Sequence, residues 1–169
     1  MKKLVGGVGY RYVGDLASPL LVLDELSLKF FGRSDIDIVD MSYNPVVLTQ
    51  DLLISGIKYD KAIIVGAVSR NGKPGTLRIY RYDSYPKMTA DEIQERIADG
   101  VSGGLSLENI VAVARALEAS SGIRIFPEET YFIEIEPQNT NWEEGLSQPV
   151  KRAIRAVVAT VIKLLGEDL

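Results

Sequence analysis

Ala62-Ile63-Ile64-Val65 is an uninterrupted apolar run. A strand with no polar alternation has to be covered on both faces, which demands helices on each side of a mostly parallel sheet. The flanking sequence supplies strands and helices in turn. Lys3 to Val8 predicts a first strand ending among glycines. Ser18-Pro19 opens a helix, with Ser18 as its cap and Pro19 at the first helical position, where a missing N–H costs nothing. Leu20, Leu23, Leu26 and Phe30 recur at helical spacing before Gly32. Ile36 to Met41 predicts the second strand, and Asn44-Pro45 opens a helix to about Gly56. Asn71 to Gly75 is a turn cluster, and Thr76 to Tyr82 alternates as an antiparallel edge strand does. Thr89 to Glu92 fits a capping box opening a helix to about Ala98, and Gly100 to Gly104 reads as a glycine-rich loop. Ser106 to about Ser120 is helical, Tyr131 to Glu136 is the last strand, and Ser147 caps a final helix with a buried stripe of Val150, Ile154, Val157, Val161 and Leu165. The expected fold class is α/β: a three-layer α/β/α sandwich with a five-stranded, mostly parallel sheet and one antiparallel edge strand.

The 169 residues, 18.6 kDa, suffice for one domain over 1–169 that needs no metal or disulfide to hold its core. Apolar residues make up 46% and charged residues 25%, an ordinary globular balance. A net charge of −4 and a pI near 5.0 lack the basic footprint of a nucleic-acid binder. The chain has no Cys, which excludes thiolate nucleophiles, disulfides and Cys-type zinc sites. It has no His either, which excludes Ser-His-Asp chemistry and imidazole metal ligation within the chain. The apolar start, Leu4-Val5, stops at Gly6-Gly7, too short for a signal-peptide core, and no run approaches the length of a membrane span. The expectation is a cytoplasmic protein with no cofactor.

In open α/β sheets, ligands sit beyond the carboxyl ends of the strands. Gly7-Val8-Gly9, with Asp40 ending strand two, suggests a dinucleotide site, but the third glycine of that fingerprint is replaced by Tyr12 and the helix starts too late to lie under a pyrophosphate. Gly100-Val101-Ser102-Gly103-Gly104 matches G-x-S-x-G, yet a helix precedes it rather than a strand and no His exists to activate Ser102. Asp15 and Asp40 are the acids to test: at neighbouring strand ends they would share a proton or hold a hard divalent ion, and otherwise they are solvated loop acids or caps. Tyr10-Arg11-Tyr12 offers aromatic and cationic contacts suited to a peptide, or caps the sheet edge.

Taken in order along nearly the whole chain, these pieces resemble the nickel–iron hydrogenase maturation endopeptidases. Gly7-Val8-Gly9 is followed by Gly14-Asp15 at the family's distance, and Asp40 ends strand two. Ile63 to Val68 precedes Lys73-Pro74-Gly75-Thr76, and Ser102 to Leu117 resembles the family's loop and helix. Ile135-Glu136-Pro137-Gln138, Trp142 and Gly145-Leu146-Ser147-x-x-Val150 resemble its ending. The resemblance implies a phosphorylase/hydrolase-like sandwich and an activity: removal of the C-terminal extension from an immature hydrogenase large subunit that already carries nickel.

The family's metal-sensing positions fall here on Leu16, Gly66 and, within a residue or two, Gly103. None of these ligates through a side chain, and nickel prefers imidazole and carboxylate donors. The resemblance therefore implies a protein without the usual site, non-catalytic and binding a hydrogenase-type large subunit or its C-terminal peptide. The alternative is an active endopeptidase working through Asp15 and Asp40. The expected partner-binding crevice comprises Gly9, Tyr10, Arg11, Asp15 and Leu16 from the first loop, and Asp40, Ser42, Gly66, Ser102 and Gly103 from the other strand ends.

Overall fold

A computed structural model describes residues 1–169. Five strands form one sheet: β1 (Lys3–Val8), β2 (Ile36–Asp40), β3 (Lys61–Ala67), β4 (Leu77–Arg81) and β5 (Glu129–Ile135). Their order is β2-β1-β3-β5-β4; every pairing is parallel except β4 against β5, so the antiparallel edge strand is where the alternating segment put it. Five helices complete the sandwich: α1 (Ser18–Lys29), α2 (Pro45–Ile54), α3 (Ala90–Val101), α4 (Leu107–Ser121) and α5 (Gln148–Leu165).

The sheet separates two cores. On one face Leu20, Leu23 and Leu26 of α1 meet Val150, Val157 and Val161 of α5 over Val5, Ile63 and Ile133. On the other, Leu48 of α2 and Leu107, Ile110 and Val111 of α4 cover Leu4, Ile64 and Phe132. Ile63 and Ile64 thus serve opposite cores, as a run without polar alternation must. Between β5 and the edge, Tyr82, Tyr85 and Phe126 set their rings edge-on to Phe132 at centroid distances of 5.2 to 5.9 Å. Tyr80 joins by an edge contact to Tyr85.

The glycines of β1 have a packing reason. A Cβ on Gly6 would overlap Met41, and one on Gly7 would crowd Leu23 and the Pro19 carbonyl. The strand end is therefore clamped from both faces.

Three local expectations are corrected by tertiary demands. Ser18 lies inside α1, which follows a 3-10 turn over Gly14–Ala17; its hydroxyl donates to the Asp15 carbonyl at 2.7 Å instead of accepting from the helix end. Ser147 stands at the α5 N-cap but gives its side chain to Asp15, so no capping bond forms. Helix α3 continues through Gly100 and Val101, so the glycine-rich segment begins inside it. Gly100 lies within the helix and packs on Pro45, where a Cβ would lie 2.5 Å from Pro45 Cγ. The caps at Asn44 and Thr89 form as their sequences indicate, and Ser106 caps α4 by accepting from Asn109 N. Phe132→Ala, which empties the centre of the aromatic cluster, is expected to cost about 3–5 kcal/mol in urea unfolding.

Candidate functional site

The carboxyl ends of β1, β2 and β3 open on one side of the sandwich, and the first loop is the piece that joins them. The loop turns back on itself: Tyr10 N donates to the Leu16 carbonyl at 3.0 Å, and that carbonyl comes too close to Gly9 for any side chain there. Gly9 N donates to Ser42 Oγ at 3.1 Å, and Ser42 N in turn donates to Asp40 Oδ1 at 2.9 Å. Tyr10 reaches across to the loop after α3; its hydroxyl donates to the Gly103 carbonyl at 3.2 Å and accepts from Leu105 N at 2.8 Å. Gly9, Tyr10, Asp40, Ser42 and Gly103 are thus brought together. Ser102, the C-cap of α3, is exposed beside them.

Arg11 turns outward and grips Asp24 of α1 with two hydrogen bonds of 2.8 and 3.0 Å. Asp24 chiefly, and Asp40 at longer range, hold the Arg11 guanidinium above its ordinary pKa. Tyr12 is 63% exposed, so the Tyr10 and Tyr12 rings play different parts: one is a strut, the other a free surface.

Asp15 and Asp40 do not form a pair. Asp15 is completely buried, and both its oxygens are taken by the segment before α5. Oδ2 accepts from Gln138 N, Asn139 N and Ser147 Oγ, and Oδ1 accepts from Ser147 N, all at 2.8 Å. The Asp15 N–H returns a bond of 2.7 Å to the Asn139 carbonyl. Asp40 is exposed and bonded to its own strand exit.

A second set of charged residues escaped the motif reading. Glu134 of β5 is fully buried and accepts from Arg70 Nη2 at 2.7 Å, Arg70 Nε at 3.1 Å and the Tyr85 hydroxyl at 2.6 Å. Burial, then the Glu134 charge, push the Tyr85 phenol well above the usual tyrosine range. Glu136, 2% exposed, accepts from Arg70 N at 2.9 Å and Arg78 Nη1 at 2.8 Å. Glu108, at the start of α4, meets Arg96 at 3.0 Å and Arg70 at 3.6 Å. A cavity of 370 Å³ beside these pairs is bordered by Arg70, Arg96, Asp99 and Glu108. The signal in the sequence was two acids, Glu134 and Glu136, spaced by two in an otherwise apolar strand. Acids on one face of a covered strand require buried partners.

No family model matches the chain, and no curated protein matches it in sequence. Solved structures do match, over almost its full length. An endopeptidase from Escherichia coli superposes with a TM-score of 0.73 at 23% identity, over 98% of this chain and 92% of its own. The hydrogenase maturating endopeptidase HybD from E. coli gives 0.68 at 20% identity, over 98% and 92%. The hydrogenase 2 maturation peptidase from a Thaumarchaeota archaeon gives 0.63 at 25% identity, over 99% and 100%. The chain has the hydrogenase maturation endopeptidase fold.

Within that fold the three positions at which the resemblance led us to expect metal-sensing residues have distinct surroundings. Leu16 is half-buried hydrocarbon. Gly103 is exposed at φ +103°, with nothing within 4 Å of where a Cβ would stand. Gly66 lies in register with Val8 and Glu134 and is buried under α4, where a Cβ would come within 2.5 Å of Leu107 Cβ. No three acidic side chains are grouped closely enough to hold a metal ion. The residues present therefore do not fit a bound nickel ion.

Two outcomes follow. Asp15→Ala strands three backbone N–H groups and is expected to destabilise the fold by at least about 3 kcal/mol, with faster hydrogen exchange at Gln138, Asn139 and Ser147. For Glu136, burial alone would raise the pKa, but the Arg70 N–H and the Arg78 guanidinium outweigh it and hold the carboxyl below its ordinary value. A carboxyl lowered in the folded state adds stability that is present above its unfolded pKa of about 4.3 and lost as the pH falls through the folded pKa. Glu136→Gln should therefore be less stable than wild type at pH 7 and lose less stability between about pH 5 and about pH 3, as measured by urea unfolding.

Proposed function

We propose that this protein is a hydrogenase-maturation-protease-like binding factor. It holds a hydrogenase-type large subunit, or the C-terminal tail of one, without the nickel-dependent cleavage implied for the family. The observation that carries this reading is Gly66 under Leu107: the volume a carboxylate would need at that position is filled by helix α4. Restoring an acid there displaces a packed leucine and buries a charge, so the position is rebuilt rather than merely vacated.

The remaining acids do not take over. Asp15 has its oxygens saturated by backbone and hydroxyl donors, and Asp40 stands alone at the β2 exit. What supports binding is the rest of the crevice. Tyr10 and Ser42 tie the ends of β1 and β2 and the loop after α3 into one surface, and Tyr12 with Arg11 presents the side-chain types that dominate protein interfaces. The solved structures that share the fold are named for hydrogenase maturation, which makes a hydrogenase-type subunit the partner to test.

The experiment mixes the purified protein with a large-subunit precursor carrying its C-terminal extension, with and without nickel. The expected result is a stable complex on size exclusion and an extension left intact by mass spectrometry. Tyr12→Ala is expected to weaken that complex at least about tenfold while leaving the thermal midpoint unchanged. Removal of the extension, and above all removal that Asp40→Asn abolishes, would overturn the reading in favour of an active endopeptidase. Failure to associate would overturn the binding role.

A further inference from the structure

Helix α1 carries more apolar surface than the sandwich uses. Leu20, Leu23 and Leu26 point into the core, yet Leu21 is 38% exposed, Leu28 81%, and Phe31, just past the helix end, 90%. A helix that is apolar on both sides is one that becomes covered on both sides. Next to this stripe, a cavity of 570 Å³ runs between α1 and α5 over a floor of Leu21, Leu146 and Ile154. One wall, from α1, is acidic with Asp24 and Glu25; the other, from α5, is basic with Lys151 and Arg155. The walls do not neutralise each other. Asp24 pairs with Arg11, and Glu25, Lys151 and Arg155 make no ion pair within the chain.

We propose that this face docks a second copy of the chain, forming a two-fold homodimer. An acidic wall and a basic wall on the same groove are complementary to themselves, which a groove made for a different protein has no need to be. The geometry selects the axis. Helices α1 and α5 run in the same direction, because each packs on the same sheet face after a strand parallel to β3. A two-fold axis along the groove lays α1 of one copy on α5 of the other, so Glu25 meets the partner copy's basic wall twice, once in each half of the contact. The alternative axis, across the helices, stacks α1 on α1 and sets like charges together. In the favoured arrangement Leu28 descends beyond Arg155, where α5 presents exposed Ala156 and half-buried Ala159 and leaves room for it. The contact lies on the flat of the sandwich and adjoins the crevice at Arg11 and Tyr12; its test uses this chain alone, so its outcome is read separately from the binding role proposed above.

The test is sedimentation equilibrium of the purified chain from about 1 to about 200 µM, a range that brackets ordinary homodimer affinities. The expected species is twice the 18.6 kDa chain. Glu25→Lys and Arg155→Glu, each checked for an unchanged far-ultraviolet spectrum, should each weaken the dimer at least about tenfold. Mixed in equal amounts, the two variants should recover wild-type affinity, because each reversed charge then faces its opposite. Leu28→Lys, at an exposed position, should also give monomer. A wild-type chain that stays monomeric throughout would overturn the proposal and leave the face to another protein's helix. So would a dimer indifferent to both charge reversals, or a mixture that stays as weak as its components.

Discussion

One buried carboxylate fixes how the two ends of the chain meet. Asp15 has no cation beside it; its charge is balanced by three backbone N–H groups and one hydroxyl, all from residues 138 to 147. Such a group is tolerable in a low-dielectric interior only while every one of those donors is in place. The bonds therefore work in both directions, shaping the last loop around the first. They set where α1 and α5 begin, and with that the groove between them. They also hold the first loop in the turn that sends Tyr10 across to Gly103.

A similar logic runs through the opposite core. Glu134 sits in register with Gly66, on the strand next to the position where the resemblance led us to expect an acid. The carboxylate is thus present one strand over, but Arg70 and Tyr85 consume it. Buried ion pairs contribute little net stability and a good deal of rigidity. Here they pin the β3 and β5 exits against α4 and keep the crevice wall in one shape. Leu107 fills the space above Gly66.

Much of this architecture was legible residue by residue. The unbroken run at Ala62 to Val65, the caps at Asn44 and Thr89, and the alternating edge strand read over Thr76 to Tyr82 depend on neighbours within a few positions, and each formed where it was expected. The motifs also placed Tyr10, Ser42 and Gly103 at one edge. The reading faltered where a local preference competed with a distant one. Ser18 and Ser147 both have the composition of caps, and both were drawn instead to Asp15. Gly100 looked like a loop residue but lies in α3, where Pro45 leaves no room for a side chain.

Periodicity, capping residues and the lack of His and Cys are properties of the chain as written. By themselves they determined the layered α/β plan and removed whole classes of catalysis. The fate of individual acids was a different matter. Asp15 looks the same in sequence whether it activates a water or anchors a loop 124 residues away, and Gly66 looks the same whether the space above it is open or filled. Only the tertiary structure decided these, because hydrogen bonding and steric exclusion act between whatever the fold brings within a few ångströms.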